Sequence, residues 1–196
     1  MFEAIRIFDT VVLHWANSWV FWKPWVDALS VFRVEWLPWW VALGLFAFGF
    51  ATLLPFSIIF PSFLSLRRRN WEMVFMALAA GVIARFGFVE LIRAFYNRPR
   101  PFEIIPDLHF LVSHDSGGSF PSGHAAFFFG IAAVIYRYYP KTSIVFFLTA
   151  LNLSLARVQT GLHWPSDILG GAIIGIVMGF LAHWIVKKCL KPKTAA

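Results

Sequence analysis

Charge is scarce in this chain, at 14% of 196 residues, and acidic charge is scarcest, with 10 Asp and Glu against 17 Lys and Arg. With 59% hydrophobic residues and a mean hydropathy of +0.69, that scarcity excludes a water-soluble globule and identifies an integral membrane protein. The single cysteine, Cys189, excludes an intrachain disulfide and most cysteine-based metal sites, and reads as a small residue near a helix end. The N-terminal stretch lacks a basic start, a clean apolar core and a small-residue cleavage site in succession, so no removed signal peptide is expected. Internal repeats are also missing, which weighs against a transporter built from repeated halves. In so apolar a chain the net charge of +7 is ascribed to topology and anionic lipid, and no nucleic-acid partner is expected.

What is present is a series of apolar windows near the ~20 residues that cross a bilayer, most of them ending near Trp, Lys, Arg or Pro. They predict spans over Trp36–Pro61, Trp71–Phe95, Pro121–Tyr138, Ser143–Leu162 and Pro165 to about Val186. Residues 1–34 mix Glu3, Arg6, Asp9, His14, Lys23, Asp27 and Arg33 with four tryptophans. They read as an amphipathic region lying in the interface, with a deeper helical pair as the alternative. The expectation is an all-α bundle of about five to six transmembrane helices. Counting crossings puts Arg67–Arg69, Arg137, Lys141, Lys187, Lys188, Lys191 and Lys193 on one side, which the positive-inside rule makes cytoplasmic.

The opposite side receives the remaining polarity, in three clusters: Arg93 to Pro101, Pro121-Ser122-Gly123-His124, and Arg157 to Asp167. Pro121 and Pro165 suit helix starts, so Ser122 and Gly123 fall in a first turn whose unpaired N–H groups and dipole attract anions. Arg93, Arg100 and Arg157 reach the same level. Three unpaired guanidiniums would repel one another, and a phosphate relieves the repulsion; the alternative is snorkelling to the headgroups. Four positions separate His163 from Asp167, so the carboxylate can orient the imidazole and leave its other nitrogen as a nucleophile. With one aspartate in the clusters, the site is read as metal-free, with no cofactor. Glu103, Asp107, His109, His114 and Asp115 are assigned to a loop that shapes access. Arg85 and Glu90 lie within a span, where ionisable groups need partners or water.

As a set, the clusters resemble the three motifs of the type 2 phosphatidic acid phosphatase superfamily, lipid phosphatases related to vanadium haloperoxidases. The motifs are Lys, six residues, Arg-Pro; Pro-Ser-Gly-His; and Ser-Arg, five residues, His, three residues, Asp. The resemblance implies that Arg93, Arg100, Ser122, Gly123 and Arg157 bind phosphate. It makes His124 the acid for the leaving group, His163 the nucleophile and Asp167 its orienting partner. Two positions depart: the motif lysine is Arg93 and the motif serine is Ala156. The implied organisation is an interfacial region over 1–34, a transmembrane phosphatase domain over 35–190 and a basic cytoplasmic tail over 191–196. The implied activity is hydrolysis of a membrane lipid phosphate on the extracytoplasmic face of the cytoplasmic membrane through a phosphohistidine. Small members resemble undecaprenyl diphosphate phosphatases. Phosphatidylglycerol phosphate, phosphatidic acid and lipid A phosphates stay open as substrates, as do lipid phosphotransfer and, from another class, a transporter or lipid-binding protein.

Overall fold

The computed structural model describes residues 2–51, 61–112 and 117–189, which are helical apart from connecting turns and loops and contain no strand. Helix α1 (Phe2–Asn17) is followed by α2 (Pro24–Val31), which runs through a π-helical turn (Phe32–Trp36) into α3 (Leu37–Ala51). Helix α4 (Pro61–Val82) continues in the same way through a π-helical turn (Ile83–Phe88) into α5 (Val89–Phe95). A short α6 (Pro101–Ile104) lies in the long loop, and α7 (Gly123–Tyr138), α8 (Pro140–Gln159) and α9 (Pro165–Cys189) complete the chain. Among the described residues four helices are long and apolar enough to cross a membrane: Pro24–Phe50, Arg67–Phe95, Pro140–Gln159 and Pro165–Cys189.

Two helix starts differ from the sequence expectation. Pro24 opens the first spanning helix, inside the stretch read as interfacial, because proline is tolerated where the first N–H has no helical partner. Arg67–Arg69, read as a joint, lie inside α4, and positions 52–60 of the span expected over Trp36–Pro61 are outside the described residues. Lys191 and Lys193, in the tail read as basic and cytoplasmic, are also outside them.

Helix α7 is the centre of the bundle. One face of α7 is Ala and Gly, its neighbours are α4, α8 and α9, and nearly all its residues from Ala125 to Ile135 are buried or half-buried. Inside a bilayer burying apolar surface between helices gains little, so close van der Waals contact between backbones takes its place. Gly171, Gly175 and Gly179 follow one another at four-residue steps on α9 and meet α7 backbone-to-backbone: a Cβ at Gly175 would lie 2.8 Å from Gly130 N, and one at Gly179 2.7 Å from Gly130 O. Large apolar side chains such as Trp39, Phe86, Leu91 and Ile173 stay exposed on the outer surface, where lipid is the solvent.

The ends of the bundle differ in chemistry. At one end Tyr138 donates to Glu72, Lys187 Nζ donates to the same carboxylate at 3.2 Å, and Arg69 lies 4.6 Å from the Tyr139 ring centroid. These contacts join α4, α7 and α9 among the basic residues. The other end carries the N-termini of α7 and α9 and the C-termini of α5 and α8. If backbone proximity holds α7 to α9, Gly175→Val forces the two apart and lowers the unfolding temperature in detergent, at a cost of about 3 kcal/mol or more. Gly44→Ala, where an added Cβ meets nothing within 4 Å, leaves it unchanged.

Candidate active site

The polar end is built around the first turn of α9. Pro165 opens that helix, and Asp167, fully buried, points back across its start. Asp167 Oδ2 accepts from the Ser119 hydroxyl and from Trp164 N at 2.8 Å, while Oδ1 accepts from Arg98 Nη1 at 2.8 Å. Its backbone carbonyl accepts from Ser122 N at 2.9 Å, so the same residue anchors the start of α7. His163 Nδ1 stands 3.5 Å from Oδ2, an electrostatic contact longer than a strong hydrogen bond, and meets no other partner among the described residues.

The His163 backbone is set by the end of α8. Gly161 takes φ +74°, the left-handed conformation that ends a helix most cheaply in glycine, and His163 N then donates to Arg157 O at 3.3 Å. The ring is almost fully buried, with Nε2 3.4 Å from Arg100 Nη1. Burial pushes this imidazole down to about 4; Asp167 opposes the shift, and the charges of Arg100 and Arg157 reinforce it. His163 is therefore neutral at neutral pH, with Nε2 directed among guanidiniums.

Arg157 sends Nη2 to His124 Nε2 at 2.8 Å and to the Val34 carbonyl, in the first π-helical turn, at 3.5 Å. A guanidinium always donates, so Nε2 is the unprotonated nitrogen of His124 in this arrangement. Arg157 Nε and Nη1 and Arg93 Nε are buried donors that no described residue satisfies, and an anion would complete them. Arg93 Nη2 donates to Pro121 O at 3.0 Å and Nη1 to Glu90 at 3.2 Å. Arg100 Nη1 also donates to Leu162 O at 2.9 Å. Burial lowers the Arg100 guanidinium from its ordinary value; Glu103 and Asp167 offset part of this and Arg85 adds to it.

The three clusters thus converge. Ser122 is the N-cap of α7, its hydroxyl accepting from Ala125 N at 3.4 Å, and Gly123 is the first helical residue. Pro121 therefore precedes the cap, where the sequence reading has it open the helix. Ala156, the other departure, packs among Val34, Val112 and Leu162 in an apolar cluster. Of the loop residues, His109 is bound to Asn17 through its backbone and packs tilted against the Phe21 ring, Glu103 accepts from Arg100 N, and His114 and Asp115 lie outside the described residues. Among the described residues no three His, Cys, Asp or Glu side chains gather as a metal-ligand set.

Sequence reasoning missed three participants. Arg98 bridges Asp167 to Asp9 of α1, donating to Asp9 Oδ2 at 2.7 Å, and Asp9 also accepts from Ser166 N at 2.8 Å and Ser166 Oγ at 2.6 Å. Asp9 therefore caps α9 from another helix. Ser119 is the third. The repeated Arg-Pro of Arg98-Pro99-Arg100-Pro101 hinted at Arg98; nothing marked Asp9 or Ser119.

A family model described as the PAP2 superfamily matches residues 70–191. The "Bacitracin transport permease protein BcrC" of Bacillus licheniformis is 26% identical, the match covering 83% of this chain and 73% of that protein. The "Lipid A 4'-phosphatase" of Bacteroides thetaiotaomicron is 28% identical over 96% of this chain and 81% of its own length. The "Undecaprenyl-diphosphatase BcrC" of Bacillus subtilis is 32% identical over 53% of this chain and 54% of its own. The crystal structure of Aquifex aeolicus LpxE aligns with a TM-score of 0.66 at 25% identity, covering 90% of this chain and 94% of that one.

Asp9 is fully buried and holds both Arg98 and the start of α9. Asp9→Ala is therefore expected to cost about 3 kcal/mol, read as a lowered unfolding temperature, and to lower turnover with it. A variant unchanged in both would mean that α1 is merely appended.

Proposed function

The chain belongs to the PAP2 superfamily and is a membrane lipid phosphatase; from that premise we propose that it hydrolyses undecaprenyl diphosphate to undecaprenyl phosphate on the extracytoplasmic face of the cytoplasmic membrane. The observation that carries the reading is the gathering of Arg93, Arg100, Arg157, His124 and His163 at one end of the bundle, with buried guanidinium N–H groups unpaired. The basic residues Arg67–Arg69, Arg137, Lys141, Lys187 and Lys188 on the opposite side support the outward orientation.

In the proposed reaction His163 Nε2 attacks the terminal phosphorus in line, forming the N–P bond as the bond to the bridging oxygen breaks. His124, protonated, gives its proton to that oxygen, and undecaprenyl phosphate leaves. Water then attacks the phosphohistidine and His124 takes its proton. The N–P bond breaks, releasing inorganic phosphate and restoring His163. Arg93, Arg100 and Arg157, with the first-turn N–H groups of α7, hold the equatorial oxygens and the charge that grows on them. An anion that engages Arg157 also draws it from His124 Nε2, which makes that nitrogen available for its proton. The four positive guanidinium and imidazole groups do here what bound cations do in metal-dependent phosphatases, so the reaction needs no metal.

The lipid chain has an apolar place beside the acid. A cavity of about 340 Å³ lined by Pro38, Trp39, Ala42, Phe86, Phe127 and Phe128 also touches His124, and Trp39 and Phe86 lie on the lipid-facing surface.

Detergent-purified protein is expected to release phosphate from undecaprenyl diphosphate faster than from phosphatidic acid, phosphatidylglycerol phosphate or lipid A. Chelator should leave the rate intact, and His163→Ala should lower it roughly a thousandfold or more. Equal rates on all four lipids would overturn the substrate assignment, and full activity in His163→Ala would overturn the mechanism. The pH profile follows from the buried imidazole. His163 loses its attacking lone pair when protonated and His124 serves as the acid only while protonated, so kcat/KM is expected to follow a bell, rising with pH up to about 4 and falling again where His124 gives up its proton. An acid limb near the ordinary histidine value of about 6.5 would mean that His163 is solvated in the working enzyme.

A further inference from the structure

Arg85 is a charged residue inside a span that the reaction above does not use, and its surroundings assign it a task. It sits in the π-helical turn Ile83–Phe88, donates to Glu90, and shares that carboxylate with Arg93, whose Nη1 lies 3.2 Å from the same oxygen. Its side chain crosses directly over the first helical residue of α7, so closely that a Cβ at Gly123 would overlap it. The guanidinium therefore stands over the helix N-terminus that attracts anions. Arg85 also lines the apolar cavity together with His124 and Gly123, whereas His163, Arg100 and Arg157 do not.

That cavity is the side to which the leaving group departs, because His124 lines it and His124 protonates the leaving oxygen. For a simple phosphate ester the group beyond that oxygen is uncharged hydrocarbon, and a guanidinium among Phe86, Phe127 and Trp39 would meet no charge on the substrate. For a diphosphate the group beyond it is a second phosphate. Charge balance points the same way. Arg85, Arg93, Arg100 and Arg157 face the site with Glu90 as the shared carboxylate, while Asp167 is engaged by Arg98 and exposed Glu103 by the Arg100 amide. A phosphate monoester brings about two negative charges, and a diphosphate brings a further one.

We propose that Arg85 binds the phosphate that remains on the lipid, and that it thereby selects diphosphates over monophosphates. The proposal rests on the diphosphatase reading above. In the Michaelis complex Arg85 turns from Glu90 toward the inner phosphate, and after cleavage it holds the lipid monophosphate until that product leaves into the bilayer.

The test compares farnesyl diphosphate with farnesyl monophosphate on the detergent-purified full chain, as wild type, Arg85→Gln and Arg85→Lys. Arg85→Gln is expected to lower kcat/KM for the diphosphate about thirtyfold, mostly through KM, and for the monophosphate only about threefold. Arg85→Lys keeps the charge and is expected to retain most of the preference. Measurable monophosphate hydrolysis in Arg85→Gln also shows that the variant is folded. Equal losses on both substrates, or an unaltered preference, would overturn the role of Arg85 while leaving the diphosphatase reading in place. A wild type that does not prefer the diphosphate would overturn both.

Discussion

The carboxylate of Asp167 is the point on which this site depends. It is buried at the start of α9, yet it receives Arg98, Ser119 and the Trp164 amide, while its backbone carbonyl receives the Ser122 amide at the start of α7. These partners come from the start of the long loop, from the stretch that leads into α7, and from the turn before α9. Through Arg98 the network reaches Asp9 on α1, and through His163 it reaches the end of α8. A buried carboxylate left short of donors is costly, so any one of these segments leaving the site would cost the others their register.

The rest of the bundle serves to bring like charges together where the dielectric is low. Arg85, Arg93, Arg100 and Arg157 repel one another, and the apolar helices cannot screen them. Two devices make the arrangement tolerable. Glu90 is shared between Arg85 and Arg93, and backbone carbonyls at Pro121, Leu162, Gly117 and Val34 take the remaining guanidinium hydrogens that can be reached. On the proposed reading, the surplus that remains is what attracts phosphate. The glycine stripe of α9 contributes at a distance, since only a close α7–α9 contact brings the two helix N-termini side by side.

Much of this could be read from the chain because the spacing of Arg, His and Asp carries the chemistry directly. Arg93, Arg100, His124, Arg157, His163 and Asp167 all lie at one end, and the crossing count anticipated a common level for them. The Arg85 partner could not be named because Glu90 is five positions on. A regular α-helix turns that residue to another face, and only the π-helical turn between them restores the alignment. Asp9 was hidden for a different reason. Its partners are 89 and 157 residues away, and neither periodicity nor motif encodes contacts so remote. The start of the first span at Pro24 escaped because Asp27, Arg33 and Glu35 interrupt its apolar pattern. In the structure Asp27 accepts from Phe21 N, and Arg33 reaches Gln159.

Neutral His163 attacking phosphorus from within a cluster of arginines is the central claim, and a rapid acid-free quench during turnover tests it most directly. With labelled lipid diphosphate and a His124→Ala protein, which lacks the acid of the first step and the base of the second, the lipid phosphate leaves slowly but without needing an acid, and label is expected to accumulate on the peptide containing His163 in an acid-labile, base-stable bond. Stoichiometric turnover under the same conditions with no label on that peptide would contradict the account.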